Sequence, residues 1–249
     1  MSEICYKKNY ITEVVARIDF AKSLQSLSTP VLPSEVQKEI KKRYQIYEPN
    51  EVMNSEFHFS DKGVSSINNK FFQWTFHSED RDKSFTINRD FIVVRILKYS
   101  NYDEFKLDVN GPISTVVSIE KDVYAKRTGL RYVNIFQNLI NDYDEVEKYF
   151  NPMFAKPFSY LIDDDHCSRM LLVSEYTKDE IKTRVQSGMH NPDYPAKLKR
   201  KDFMLDIDSF VDTPHAIVDI NQLITELHQE IQSKFENSVT DVLRAKMDE

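Results

Sequence analysis

Lys126-Arg127-Thr128-Gly129-Leu130-Arg131-Tyr132-Val133-Asn134-Ile135-Phe136, near the middle of a 249-residue chain, has the aromatic and β-branched content of a strand. Its odd positions are Arg127, Gly129, Arg131, Val133 and Ile135; its even positions are Thr128, Leu130, Tyr132, Asn134 and Phe136. Toward the C-terminal end both sets turn apolar, which predicts a central strand covered on both faces there. Gly129 marks a bulge or a close backbone approach, because glycine otherwise only weakens a strand. Arg127, Arg131 and Asn134 need partners, since a buried charge or amide is costly alone.

On the N-terminal side, Glu13 to Phe20 alternates Val14, Ala16, Ile18 and Phe20 with Glu13, Val15, Arg17 and Asp19, the pattern of a half-buried strand. Ser34-Glu35-Val36-Gln37 reads as a helix start with Ser34 as the N-cap. From Glu56 a meander is expected, with strands at Phe71–His77, Ser84–Asn88 and Phe91–Tyr99. Asn101 or Ser100 caps a helix running to about Glu120, in which Pro112 predicts a kink or a split. Beyond the central strand come a short acidic helix over Asp142–Phe150 and a hairpin of Phe158–Ile162 with Ser168–Tyr176. Further strands follow at Ile181–Met189 and Lys201–Phe210. The last and longest helix carries Ile220, Ile224, Leu227, Ile231 and Phe235 on one face, with an interruption at Asn237-Ser238. This order predicts an α+β protein with antiparallel sheet wrapped against helices, two similar halves being one reading. Residues 1–140 form the N-terminal half and 141–249 the C-terminal half, within one compact unit.

Composition excludes whole classes of function. Four glycines leave no place for G-x-G-x-x-G or G-x-x-x-x-G-K-[ST], so phosphate-cradling loops are absent. G-x-S-x-G, H-E-x-x-H and C-x-x-C are also missing, which leaves a non-enzymatic reading and implies no cofactor. A net charge of −7 argues against a generic nucleic-acid binder; the basic stretches Lys38–Arg43 and Lys197–Lys201 read as solvated surface, contact of the second, near Tyr194, with phosphates being the alternative. Two distant cysteines, Cys5 and Cys167, fit a reducing compartment. With no signal-peptide core at the N-terminus and no apolar run of the roughly 18 residues a membrane span needs, a soluble cytoplasmic protein is expected.

Three stretches together resemble an uncharacterised protein family that is sporadically distributed among prokaryotes: Tyr10 to Phe20, Gly129 to Asn134, and Leu227-His228 to Phe235 followed by Val239-Thr240-Asp241. The resemblance spans nearly the whole chain. It implies genes that travel between genomes, including phage-defence and mobile-element genes, and it transfers no catalytic residue.

Several constellations carry two readings. Asp163, Asp164, Asp165 and His166 could hold a divalent cation, with Asp163, Asp165 and His166 as ligands; the segment also reads as an Asp-rich turn. His166 and Cys167 point to opposite faces of a strand and do not make a nucleophilic pair. Asp206 and Asp208 share a strand face, as pocket lining or as solvated exterior. His228 reads as a packed histidine at the edge of the apolar stripe. If the first and central strands are neighbours, Arg17, Arg127, Arg131 and Asn134 either form an ion-pair network with Glu13 and Asp19 or line a polar pocket for an anion. The aromatic-rich surface suggests a protein partner or a homodimer; a small-ligand sensor with a pocket between sheet and helices is the alternative.

Overall fold

A computed structural model describes residues 4–60, 63–161, 166–217 and 220–249. It is α+β, with one large antiparallel sheet and a long C-terminal helix. The first strand, β1 (Ile11–Phe20), is followed by the short helix α1 (Ser34–Ile40). A meander follows: β2 (Ile46–Ser60), β3 (Gly63–His77), β4 (Lys83–Asn88) and β5 (Phe91–Ile96). Helix α2 (Tyr102–Ser118) leads into β6 (Tyr124–Phe136). Short helices α3 (Val146–Tyr149) and α4 (Pro152–Ala155) precede a second meander of β7 (Leu171–Lys178), β8 (Ile181–His190) and β9 (Asp202–Val211). A two-residue strand β10 (His215–Ala216) and helices α5 (Ile220–Ser238) and α6 (Asp241–Met247) close the chain.

The sheet order is β2-β3-β4-β5-β1-β6-β9-β8-β7, with β10 on β6. Each half follows the same course: a first strand, helix, a meander whose last strand returns beside the first, and a long helix. The two first strands, β1 and β6, pair antiparallel at the middle of the sheet. Pairing of Val14 with Tyr132 and Ala16 with Leu130 puts the buried residues of both strands on one face. Helices α2 and α5 cover that face, presenting Phe105, Val109 and Val116, and Ile224, Leu227 and Ile231. The opposite face is open through its middle, where Val15, Arg17, Val93, Arg95 and Arg131 are exposed or half-buried.

Strand β6 is central, and its C-terminal end is covered on both faces: Ile135 and Phe136 are both buried. Gly129 forms no bulge, since the register is regular from Arg17↔Gly129 to Gly129↔Phe210. What approaches it is the Arg127 guanidinium, with Nη1 2.7 Å from the position a Cβ would take.

Helix α2 is continuous through Pro112. Proline has no N–H, so it leaves the carbonyl four residues earlier without its helical partner. That carbonyl belongs to Asp108, and the buried Tyr44 hydroxyl donates to it at 3.1 Å. The Asp108 carboxylate is held by Arg43 and Lys83, each at 2.7 Å. Pro112 is thus accommodated by a tyrosine 68 positions upstream, since 112 − 44 = 68.

Three local expectations are corrected. Ser34 is the first residue of α1, and the N-cap is Pro33, with no side-chain cap. Phe158–Leu161 is not a strand but part of a 3-10 turn, Lys156–Leu161, opened by Pro157 in the way proline opens helices. Phe158 there plugs the core edge-on against Phe203 at 5.4 Å. The hairpin is therefore β7–β8, with Asp179 at φ 53° in its turn. Ile162 and Asp163–Asp165 lie outside the described residues.

Candidate functional site

The residues singled out on β1 and β6 are divided between the two faces of the sheet. Side chains alternate along a strand, so Arg127 and Arg131 share one face while Asn134 faces the other. A single pocket lined by both Arg131 and Asn134 is therefore excluded.

On the open face each named arginine already has a carboxylate. Arg17 grips Asp19 at 2.7 Å within β1, and Arg127 reaches Asp208 at 3.1 Å. Arg131 forks onto Asp206, with Nε at 2.8 Å and Nη2 at 2.6 Å. Arg95 pairs with Glu13, Arg184 with Glu175 at 2.7 Å, and Lys182 with Asp212 at 2.8 Å. These six neutralised pairs form a ladder across β5, β1, β6, β9, β8 and β7, with Asp212 just past the end of β9. Its hydrogen bonds to Asp206 hold the Arg131 guanidinium pKa above the ordinary value. Burial pushes the Asp208 carboxyl up, against the opposing pull of Arg127 and Arg131. A polar hollow of about 210 Å³ sits over Arg131, Arg184, Gln186, Asp206 and Asp208. An external anion there would have to compete with Asp206 for the Arg131 fork.

The helix-covered face holds a different site. Between β6, the start of α2, the middle of α5 and the N-terminal segment lies a cavity of about 90 Å³. Asn134 lines it, and its amide donates to the Leu205 carbonyl at 3.1 Å. Tyr132, two residues earlier on β6, points the same way and contacts His228 of α5, hydroxyl to Nδ1 at 3.2 Å. The His228 ring stacks on Tyr102, centroids 3.7 Å apart and planes 4° from parallel. Its Nε2 is enclosed and has no hydrogen-bond partner among the described residues. Burial, and then nearby Lys106, depress the His228 pKa to about 4. The imidazole is neutral at physiological pH.

The N-terminal segment, from Ile4 to Tyr10, forms one wall of the cavity. The Tyr6 hydroxyl donates to Glu236, with distances of 2.9 and 3.0 Å to its two carboxylate oxygens, and the Lys8 amide donates to the Met247 carbonyl at 2.9 Å. Asn9 donates to the Tyr99 carbonyl at 3.3 Å. Glu236 is also held by Arg244 at 2.8 Å. Burial and the Glu236 carboxylate raise the Tyr6 pKa well above that of a free phenol, so it stays protonated.

Of the cation ligands expected in the Asp-rich turn, Asp163 and Asp165 lie outside the described residues, and His166 is exposed in a turn. Among the described residues no group of three or more His, Cys, Asp or Glu side chains could hold a metal. Cys5 is exposed and Cys167 half-buried; both are free. In the basic loop, Lys201 is tied to Asp142 at 2.9 Å and Arg200 lies 3.5 Å from Asp202. No helix among the described residues is long and apolar enough to cross a membrane.

Sequence reasoning found Asn134 and His228 but did not join them through Tyr132. The signal was present: Tyr132 and Asn134 share a parity on β6, and His228 adjoins Leu227 on the stripe that covers that face. No protein-family model matches the chain, and no curated protein is detectably similar to it.

Proposed function

We propose that this chain is a cytoplasmic, non-enzymatic sensor that binds a small ligand in the cavity between β6, α2 and α5. The observation that carries the reading is the buried His228 Nε2, unpartnered among the described residues and beside an aromatic-lined cavity. Buried polar atoms are almost always hydrogen-bonded, and an exception beside a cavity is where a ligand atom fits. The arginine ladder gives less support to an anion site, because each of its forks is filled by the chain's own carboxylates.

Native mass spectrometry of protein purified gently from its host tests the reading. A small bound mass that disappears in Ile231→Trp, a substitution that fills the cavity, is the expected result. The unaltered polypeptide mass from wild-type protein, together with no thermal stabilisation by any small molecule screened, would sink it.

A second reading assigns the open sheet face to a protein partner or a second copy. In its favour, the half-buried Val15, Val93 and Val133 run between neutralised ion pairs, so docking there would strand no unpaired charge. Sedimentation analysis discriminates: a strict monomer at all concentrations removes the second-copy form of this reading.

A further inference from the structure

Deepening the cavity reading, on which it rests, we propose that the ligand is an uncharged compound of one aromatic ring bearing a hydroxyl group, of the phenol class. Size sets the first limit. An apolar cavity of about 150 Å³ accommodates benzene; the space here is smaller, about 90 Å³, and half-open, so a single small ring is the most it can seat, with one edge of the ring toward the open side. Nucleotides and fused-ring compounds are too large while the N-terminal segment stays in place.

Charge sets the second limit. Among the described residues no lysine or arginine lines the cavity, so an anion finds no counter-ion there. Among the described residues Glu236 is the one charged lining residue, and Tyr6 and Arg244 occupy its oxygens, which leaves a cation without a free carboxylate there. Burying an unpaired charge against these apolar walls would be costly.

The walls and the unpartnered nitrogen set the third. Tyr10, Tyr99, Tyr102, Tyr132 and Phe235 line the space, and aromatic rings favour offset or edge contacts with another ring. Tyr132 engages His228 Nδ1, which leaves Nε2 as the group to be satisfied. Which ring nitrogen carries the hydrogen is set by the direction of the Tyr132 bond. A hydroxyl serves both cases, accepting from Nε2–H or donating to a bare Nε2. A carbonyl or an ether only accepts and serves one case, and an aliphatic amine would enter as a cation.

The test is a thermal-shift and calorimetric titration of the full chain with phenol, alongside benzoate, tetramethylammonium, cyclohexanol and toluene. Phenol is expected to saturate a single site and to stabilise more than toluene at equal concentration. His228→Phe, which keeps a ring and removes both nitrogens, should weaken phenol roughly fivefold or more while leaving toluene within about twofold. Tyr132→Phe serves as a second variant if His228→Phe does not fold, and should weaken phenol but not toluene. Tighter binding of benzoate, tetramethylammonium or cyclohexanol than of phenol, lost in Ile231→Trp, would overturn the phenol class and leave the sensor reading standing. A bound small molecule in the native protein with no response to phenol would do the same. An empty native protein that responds to none of the five probes would overturn both.

Discussion

The imidazole of His228 lies flat on the phenol ring of Tyr102, 3.7 Å between centroids and 4° between planes. The contact joins the first residue of α2 to the middle of α5, elements that arrive from opposite halves of the chain. Tyr132 of the central strand closes the triangle by its hydroxyl contact with Nδ1. Three elements thus fix one imidazole whose remaining nitrogen has no hydrogen-bond partner among the described residues. The cavity takes its chemistry from that arrangement.

The histidine makes stability depend on pH in a defined direction. The unfolded chain takes up this proton near pH 6.5, the folded chain only near pH 4. Between those values the unfolded state binds more protons, so stability is full above pH 6.5 and falls as pH drops toward 4. The loss attributable to His228 is about 2–3 kcal/mol. Urea denaturation at pH 7.5 and pH 4.5 should show a smaller drop in His228→Phe than in wild type by that amount.

Pro112 and Tyr44 form a compensating pair that a double-mutant cycle exposes. Tyr44→Phe strands the Asp108 carbonyl and should cost about 1–2 kcal/mol. Pro112→Ala restores a backbone N–H to that carbonyl, so Tyr44→Phe should cost measurably less in its background. Equal costs in the two backgrounds, from urea midpoints at constant slope, would contradict the pairing.

Arg131 and Asp206 are coupled across β6 and β9, with Asp206 nearly buried and Arg131 half-exposed. Arg131→Ala should destabilise by about 1–2 kcal/mol, between the values for surface and buried pairs. Because Arg131 lies on the face opposite the cavity, the same substitution should leave phenol affinity within about twofold. A binding loss comparable to that of His228→Phe would show that the two faces are not independent.

Two strand glycines should respond differently to alanine. A Cβ at Gly188 would lie 2.3 Å from the Met170 carbonyl oxygen and 3.1 Å from the Leu171 Cα, which are backbone atoms that cannot swing aside. At Gly129 the obstruction is the mobile end of Arg127. Gly188→Ala is expected to cost about 2 kcal/mol or more and Gly129→Ala less than about 1 kcal/mol, by thermal or urea unfolding.

The fold was legible in the sequence wherever periodicity was strong. Alternation in Glu13–Phe20 and the apolar stripe of α5 each point to one face, and those faces meet in the core. Most of β2, Ile46–Ser60, went unread because Pro49 and its polar neighbours mask the pattern. Phe158–Ile162 was misread because a short apolar run carries no period to separate strand from turn. The site was half-legible. Parity along β6 already assigned Arg131 and Asn134 to opposite faces, but only the pairing of β6 with β9 revealed which carboxylates fill the arginine forks. Stacking of Tyr102 on His228 joins residues 126 positions apart, since 228 − 102 = 126, and no local pattern encodes it.

The most direct test of the cavity as the functional site is the nitrogen spectrum of the His228 ring, recorded with and without phenol from pH 7.5 down to 4. The expected result is a neutral ring that protonates only near pH 4, with an Nε2 resonance that shifts saturably as phenol binds. A ring that titrates near pH 6.5 and ignores phenol would contradict it.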